Sequence, residues 1–182
     1  RNPEQAKRII SLGVEKVAIS AAAVEDTLLV SRTAEAVGRQ SVVVVLDIRK
    51  KKGLFAKGYE LLTHNGSKVC NVDPFEFARQ IQDAGAGEIV VNSIDHDGHM
   101  KGYDLELCTK MRAALRIPMS FLGGAGSHRD IELLLSTCGV VGASVGSLFV
   151  FKGPYRAVLI NYPTPVQKDE ICRVGLAGYQ GE

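Results

Sequence analysis

The stretch IVVNSIDHDGHMKGYD, residues 89–104, decides the fold, because a short apolar run is followed at once by polar and charged residues. Three aliphatic residues, 89–91, are followed within a few positions by Asp95, Asp97 and Gly98. An apolar run without alternation is typical of a strand covered on both faces, as in a parallel sheet. Carboxylates and a glycine just past its end predict a functional loop between a buried strand and the next helix.

The same order, a short buried strand and then a helix, recurs on both sides of this stretch. The run SVVVVLD, residues 41–47, is the strongest strand signal, since it is short, continuous and β-branched. Strands are predicted at 16–20, 41–47, 88–93, 117–122 and 140–146, and helices at 3–12, 24–37, 73–85, 104–115 and 128–137. The Asn65-Gly66 pair predicts a hairpin turn, and a short helix is predicted to start at Pro154. The polar segment 163–182 predicts a loosely held tail.

This order predicts an α/β fold with five parallel strands, each followed by a helix, and no antiparallel core strand. An open doubly wound sheet and a (β/α)₈ barrel both fit it. Functional residue types follow nearly every strand, which favours the barrel, because an open sheet concentrates its site at one switch point. These residues are Ser20, Asp47, Asp95, Asp97, Gly98, Gly123, Gly124, Gly146 and Ser147. We therefore predict a partial barrel in a single domain over residues 1–182.

Composition excludes several classes of protein. A hydrophobic fraction of 46% and a charged fraction of 23% are those of a soluble globular chain. A net charge of +2 is too small to indicate a nucleic-acid or membrane-surface partner, and no apolar stretch reaches the length of a membrane helix. Four widely spaced cysteines without a CxxC pair predict reduced thiols and a cytoplasmic protein. His96 and His99 share one crowded loop, unlike zinc ligands, so we expect no metal site.

Two glycine-rich loops, 123–126 and 146–147, predict a phosphate site, since backbone N–H groups at a helix N-terminus favour an anion. The alternative is that these glycines only make tight turns. Asp47 follows a wholly apolar run, where a carboxylate is costly unless it is paired or takes part in chemistry. It is therefore either an acid/base group or a structural carboxylate, capping a helix or pairing with a cation of 49–52.

Several of these stretches resemble the cyclase subunit of imidazole glycerol phosphate synthase, the HisF type. The resemblance runs from about residue 3 to about residue 160 and is most specific in SIDHDGHMKGYD, residues 93–104. It is carried also by SVVVVLDIRK (41–50), IPMSFLGGAG (117–126) and GSLFVF (146–151). The resemblance implies a (β/α)₈ barrel of the ribulose-phosphate-binding type. It also implies closure of an imidazole ring on a bis-phosphorylated substrate in histidine biosynthesis, with ammonia from a glutaminase partner and no cofactor.

The resemblance also implies roles for individual residues. Asp47 corresponds to a catalytic general acid/base, and the Asp97-Gly98 pair lines the site and contacts phosphate. The phosphate site of the second half of the barrel corresponds to Gly123, Gly124, Gly146 and Ser147. Ser20 stands where the family usually carries an Asn-Thr pair, which weakens the first phosphate site. Lys16 and Glu88 correspond to part of a charged gate for ammonia, the alternative being solvated charges that cap strand ends.

The chain also departs from the family pattern. Three βα units and a second catalytic aspartate, on the first strand, are not in the sequence, so we expect the C-terminal five-eighths of a barrel, either as a natural fragment or from an incomplete reading frame. Open sheet edges predict a homodimer. Segment 147–163 resembles a branch that works with an amidotransferase in surface-polysaccharide sugar biosynthesis, which gives an alternative function. A second alternative is an inactive truncated barrel that only binds phosphate or a partner.

Overall fold

A computed structural model describes residues 2–53 and 56–180 of the chain. Strands and helices alternate, and the longer strands build a mainly parallel sheet. This confirms the α/β class and the succession of βα units expected of a partial (β/α)₈ barrel.

The strands of the described residues are β1 (Val17–Ile19), β2 (Val42–Lys50), β3 (Tyr59–Thr63), β4 (Lys68–Cys70), β5 (Glu88–Ser93), β6 (Met119–Leu122), β7 (Gly142–Ser144), β8 (Phe151–Lys152) and β9 (Ala157–Val158). The α-helices are α1 (Pro3–Ser11), α2 (Ala21–Glu25), α3 (Leu28–Val37), α4 (Pro74–Ala84), α5 (Leu105–Ala114), α6 (His128–Cys138), α7 (Ser147–Val150) and α8 (Pro165–Ala177).

These elements fall into two compact units. The first comprises residues 1–92 and 113–119, and the second comprises residues 93–112 and 120–182. The expectation of a single domain stays a prediction.

Strand β2 organises the first unit. Its beginning pairs in parallel with β1, from Val17 opposite Val42, and its end pairs antiparallel with β3, from Asp47 opposite Leu62. Alternate side chains of β2 lie on opposite faces of the sheet. Leu46 and Ile48 are fully buried on one face, whereas Asp47 is half-buried on the other. Asp47 therefore lies on the less buried face of the sheet.

The antiparallel partner corrects two expectations. The strand predicted to end at Asp47 continues to Lys50, because β3 supplies hydrogen-bond partners for its last residues. Strands β3 and β4 form an antiparallel hairpin, so the expectation that the core contains only parallel strands was wrong. The hairpin turn at Asn65 and Gly66 is confirmed, and both residues have positive φ.

Helix boundaries in the first unit follow local chemistry. The helix predicted over residues 24–37 is two helices, because Asp26 is extended and its carboxylate accepts from the Leu28 N–H. Helix α4 begins as expected at Asp73, whose side chain accepts from the backbone N–H groups of Phe75 and Glu76. It ends at Gly85 in the left-handed conformation.

The second unit is built around α6 and the parallel pair β6 and β7. Strand β7 is shorter than the predicted 140–146, and no helix starts at Pro154, where the chain instead turns between β8 and β9. The segment from 163, expected to be a loosely held tail, contains helix α8, in which Ile171 and Gly175 are buried. A Cβ on Gly175 would lie 2.8 Å from the Leu135 Cβ, so α8 packs closely on α6.

Two thiols of the second unit are buried, and we expect them to make the stability of the chain fall in alkali. Burial raises the pKa of Cys138 to about 11, an effect that Arg112 opposes in part, and burial raises the pKa of Cys108 further. Unfolded thiols ionise near pH 8.5, so the stabilisation is complete below that pH and is lost as the pH rises toward the folded values.

The urea midpoint, measured from pH 7 to pH 11, is therefore expected to fall more steeply in the parent than in Cys138→Ala. The exposed Cys172 provides the control, since Cys172→Ser should leave the pH dependence unchanged. Parallel curves for the parent and Cys138→Ala would show that the Cys138 thiol does not contribute.

Candidate functional site

In the first unit, Asp47 is held by a residue from the neighbouring strand. The Asn92 Nδ2 of β5 donates to the Asp47 Oδ1 at 2.9 Å. The nearest cation in the sequence is engaged elsewhere, because Arg49 pairs with Glu60 of β3 at 2.6 Å. Asp47 lies inside a strand and caps no helix. Of the structural alternatives, the helix cap is not formed, and of the cations at 49–52 Arg49 is engaged with Glu60.

Ser20 lies directly after β1 and precedes helix α2, but its side chain makes no capping hydrogen bond there. It lines a cleft of about 450 Å³ in the first unit. The cleft is lined by apolar side chains, among them Ile9, Ile19 and Leu29, and also by the polar residues Asn2, Gln5 and Arg8. The role of Ser20 in a first phosphate site stays a prediction.

Lys16 and Glu88 form an ion pair at the opposite ends of the strands from Asp47. Lys16 immediately precedes β1, Glu88 begins β5, and the Lys16 Nζ lies 2.6 Å from the Glu88 Oε2. The lysine side chain is 50% exposed and the glutamate side chain 17% exposed. The two charges are thus a pair at the amino-terminal ends of the strands.

In the second unit, the residues that the sequence singled out after three successive strands line one small depression. They are Asp97, Gly98, Gly123, Gly124, Gly146 and Ser147. Because parallel strands place their carboxyl ends at one edge, loops far apart in the sequence meet here. The expected convergence of these residues within the second unit is therefore observed, while their roles remain predictions.

The glycines of this depression are of two kinds. Gly123 and Gly124 have positive φ, and a Cβ on Gly124 would lie 2.1 Å from the Gly102 carbonyl oxygen. These two glycines let two loops pack backbone to backbone, and the Gly102 N–H donates to the Gly124 carbonyl at 2.8 Å. A Cβ on Gly98 or Gly146 would meet no atom within 4 Å. Only these two leave open space beside the backbone.

A capping box ties the start of α6 to the loop that precedes it. The Asp130 carboxylate accepts from the N–H groups of Gly126 and Ser127, and the Ser127 hydroxyl accepts from the Asp130 N–H. This capping box supplies the negative charge that a bound anion would supply. A phosphate in the depression would therefore depend on the backbone near Gly124, Gly146 and Ser147.

Sequence reasoning missed two residues that shape these sites. Asn92 interrupts the apolar pattern of its strand, and this was the only signal of its contact with Asp47. The Tyr103 hydroxyl donates to the Ser144 carbonyl at 3.1 Å and so holds the loop before α5 to the end of β7. Burial raises the pKa of Tyr103 well above its usual range, so this hydroxyl stays protonated and can donate.

The loop 95–99 does not assemble a metal-binding cluster. His96 Nδ1 lies 2.9 Å from the Ser93 Oγ. Within residues 2–53 and 56–180, no three His, Cys, Asp or Glu side chains come close enough together to hold a metal ion. In the same part of the chain, the helices are all too short or too polar to cross a membrane.

Comparisons with known proteins agree on one family. The model of the family described as "Histidine biosynthesis protein" matches residues 1–155. A Vibrio vulnificus protein named "Putative imidazole glycerol phosphate synthase subunit hisF3" is 53% identical over 91% of this chain and 63% of its own length. A Leptospira interrogans protein, "Putative imidazole glycerol phosphate synthase subunit HisF", is 47% identical over 94% of this chain and 66% of its own length.

A third relative, "Imidazole glycerol phosphate synthase subunit HisF" of Hyphomonas neptunium, is 38% identical over 92% of this chain. The chain spans a little under two thirds of the length of these curated relatives. The family match extends from α1 through the strand that follows α7, and so includes Asp47, Asn92 and the glycine-lined depression. The chain therefore belongs to the histidine biosynthesis protein family, as its resemblance to HisF-type subunits predicted.

Proposed function

We propose that the protein is a cyclase or lyase subunit of the imidazole glycerol phosphate synthase type, closing an imidazole ring with ammonia. The family match supports this proposal, together with the names of relatives that are 38–53% identical. The observation that carries it is the Asp47 carboxylate, half-buried on β2 and held by one amide. A carboxylate fixed in this way suits proton transfer to and from a substrate.

In this proposal, Asp47 is the general acid/base. Its carboxylate lies beyond the apolar part of β2, on the less buried face of the sheet, where a substrate can approach. The Asn92 amide holds one carboxylate oxygen and leaves the other oxygen to exchange a proton with the substrate. No metal or cofactor takes part.

The glycine-lined depression is proposed to bind a phosphate group of a bis-phosphorylated substrate. Gly98 and Gly146 leave the backbone accessible there, and Gly124 and Ser147 contribute backbone from the adjoining loops. The carboxylate of Asp97, an acceptor, suits a substrate hydroxyl better than the phosphate itself. Ser20 contributes at most a weak contact to the second phosphate.

A glutaminase subunit is the proposed source of ammonia, and the Lys16–Glu88 pair is the proposed point of entry. The pair lies at the amino-terminal ends of the strands, so a partner at this end would not obstruct the substrate. The homodimer and the cytoplasmic location stay predictions.

Lys16→Ala is expected to reduce glutamine-dependent turnover with the partner several-fold while leaving turnover with added ammonium salt within about twofold. The reason is that the Lys16 side chain is half-exposed, so its removal should cost little stability and should act mainly on the ammonia that the partner supplies. Steady-state rates with each nitrogen source measure the two effects. Lys7→Ala removes another surface ion pair, to Glu4, and serves as the matched control. Equal losses with both nitrogen sources would exclude the gate.

The experiment that tests the function is an assay with ammonium ion and the bis-phosphorylated substrate, in which imidazole glycerol phosphate is detected by mass spectrometry. Formation of the imidazole product supports the proposal and rejects the inactive truncated barrel. Absence of product from correctly folded protein would overturn it. Both alternatives predict that outcome. The synthase-like subunit of a sugar amidotransferase would not act on this substrate even in a full-length protein, whereas an inactive truncated barrel would become active when the full length is restored.

A further inference from the structure

Among residues 2–53 and 56–180, Asn92 is the one polar contact of the Asp47 carboxylate, and the oxygen of its amide has no partner. The Nδ2 donates to the Asp47 Oδ1 at 2.9 Å. The Asn92 Oδ1 is buried from solvent and has no hydrogen-bond partner among residues 2–53 and 56–180. A buried carbonyl oxygen without a donor is unfavourable, and most native structures avoid it. This amide therefore calls for a reason other than packing.

Asp47 determines which way the amide points. An ionised carboxylate can only accept hydrogen bonds, so it selects the nitrogen end of the amide and leaves the oxygen end facing away. Within residues 2–53 and 56–180 no hydrogen bond to the oxygen end fixes the amide, so the contact with Asp47 determines its orientation.

We propose that Asn92 is a positioning residue that serves both protonation states of Asp47, an inference that rests on the proposed acid/base role. When Asp47 is ionised, the Asn92 Nδ2 donates to it and fixes the carboxylate. When Asp47 takes a proton from the substrate, the proton enters on its other oxygen, and the Oδ1 becomes a carbonyl oxygen that still accepts from the Asn92 Nδ2. Return of the proton to the substrate leaves the same hydrogen bond in place.

The donor end of the amide is what makes this possible, because the Asp47 Oδ1 is an acceptor in both protonation states. An apolar residue could hold the carboxyl group in neither state. Asn92 lies on β5 and Asp47 on β2, so the sheet itself fixes the distance between them. The pair therefore keeps one geometry while the proton comes and goes.

The first test measures the hydrogen bond without any activity. In ¹H–¹⁵N spectra of the whole chain, the Asn92 side-chain amide is expected to exchange slowly with water and to lose that protection in Asp47→Ala. The amide of the exposed Asn161 is the internal control and should be unchanged. An Asn92 amide that exchanges as fast as Asn161 in the parent would overturn the inference, whatever the enzyme does.

The second test separates positioning from packing. Asn92→Leu has a similar size and can neither donate nor accept, so kcat is expected to fall roughly 10- to 100-fold, with KM within about twofold. Asn92→Thr carries a hydroxyl that can do both, and it is expected to recover most of the loss. Asn161→Leu should leave both constants unchanged. A normal kcat in Asn92→Leu, or no recovery in Asn92→Thr, would overturn the inference.

The two tests also separate this inference from the proposed function. If the parent forms no imidazole product, the proposed function fails, and the protection of the Asn92 amide decides whether the pairing exists. If the parent is active and Asn92→Leu is equally active, the function stands and Asn92 is only a packing residue.

Discussion

Replacing Asp47 with asparagine is expected to lower ammonia-dependent ring closure by roughly 10²- to 10⁴-fold, the usual contribution of a positioned acid/base group. The substitution keeps the shape of the side chain and leaves an oxygen that can still accept from the Asn92 Nδ2. It removes only the ability to take and return a proton. The urea midpoint of the variant should therefore stay close to that of the parent, while the rate of product formation falls.

The matched control for this experiment is Asp73→Asn. Asp73 carries the same side chain in the same unit but caps α4, and asparagine caps helices about as well as aspartate. Its turnover should lie within twofold of the parent. Near-normal turnover in the Asp47 variant would make Asp47 a structural carboxylate and would require another proton carrier.

The sequence predicted those strands and helices whose ends are set by neighbouring residues in the chain. Strand β5 was predicted to the residue, because its apolar run is bounded by Gly87 and by polar residues. The start of α4 followed from Asp73 and Pro74, whose capping chemistry does not depend on the rest of the fold. The break between α2 and α3 was missed, since it depends on Asp26 bonding forward to Leu28 rather than continuing the helix.

Long-range pairing explains what the sequence could not reveal about the strands. Nothing within the run 41–47 indicates that β2 continues to Lys50, because the continuation depends on β3, which begins nine residues later. The chemistry of Asp47 likewise depends on a residue 45 positions away. Only pairing between strands reveals that Asn92, an interruption in an apolar pattern, holds the candidate acid/base.

At the candidate phosphate site, too, the sequence could not reveal contacts between residues that are distant in the chain. Their positions predicted which loops meet, and the structure places all six residues around one depression. The sequence could not separate glycines required by close backbone packing from glycines beside open space. Nor did it indicate that the Asp130 carboxylate accepts from the N–H groups of Gly126 and Ser127, just before α6. The distinction between the two kinds of glycine leads to a second large effect.

Gly124→Ala is expected to destabilise the chain by roughly 2–5 kcal/mol, the sum of overpacking and of an unfavourable positive φ. The φ of Gly124 is +117°, and an added Cβ would lie 2.1 Å from the Gly102 oxygen and 2.7 Å from the Gly102 carbonyl carbon. Both contacts are with backbone, which cannot move aside as a flexible side chain does. The loop before α5 would have to separate from the loop before α6.

Gly146 is the matched position, since it lines the same depression but would place a Cβ in open space, at a φ of −105°. Gly146→Ala should change the free energy of unfolding by less than about 0.5 kcal/mol. Urea titrations of both variants measure the contrast. Equal stabilities would show that the two loops are not packed backbone to backbone.

Gly146 also allows phosphate binding to be tested separately from folding. Gly146→Val should weaken the binding of inorganic phosphate at least tenfold without loss of stability. Unchanged binding in calorimetric titrations would remove the phosphate from this depression.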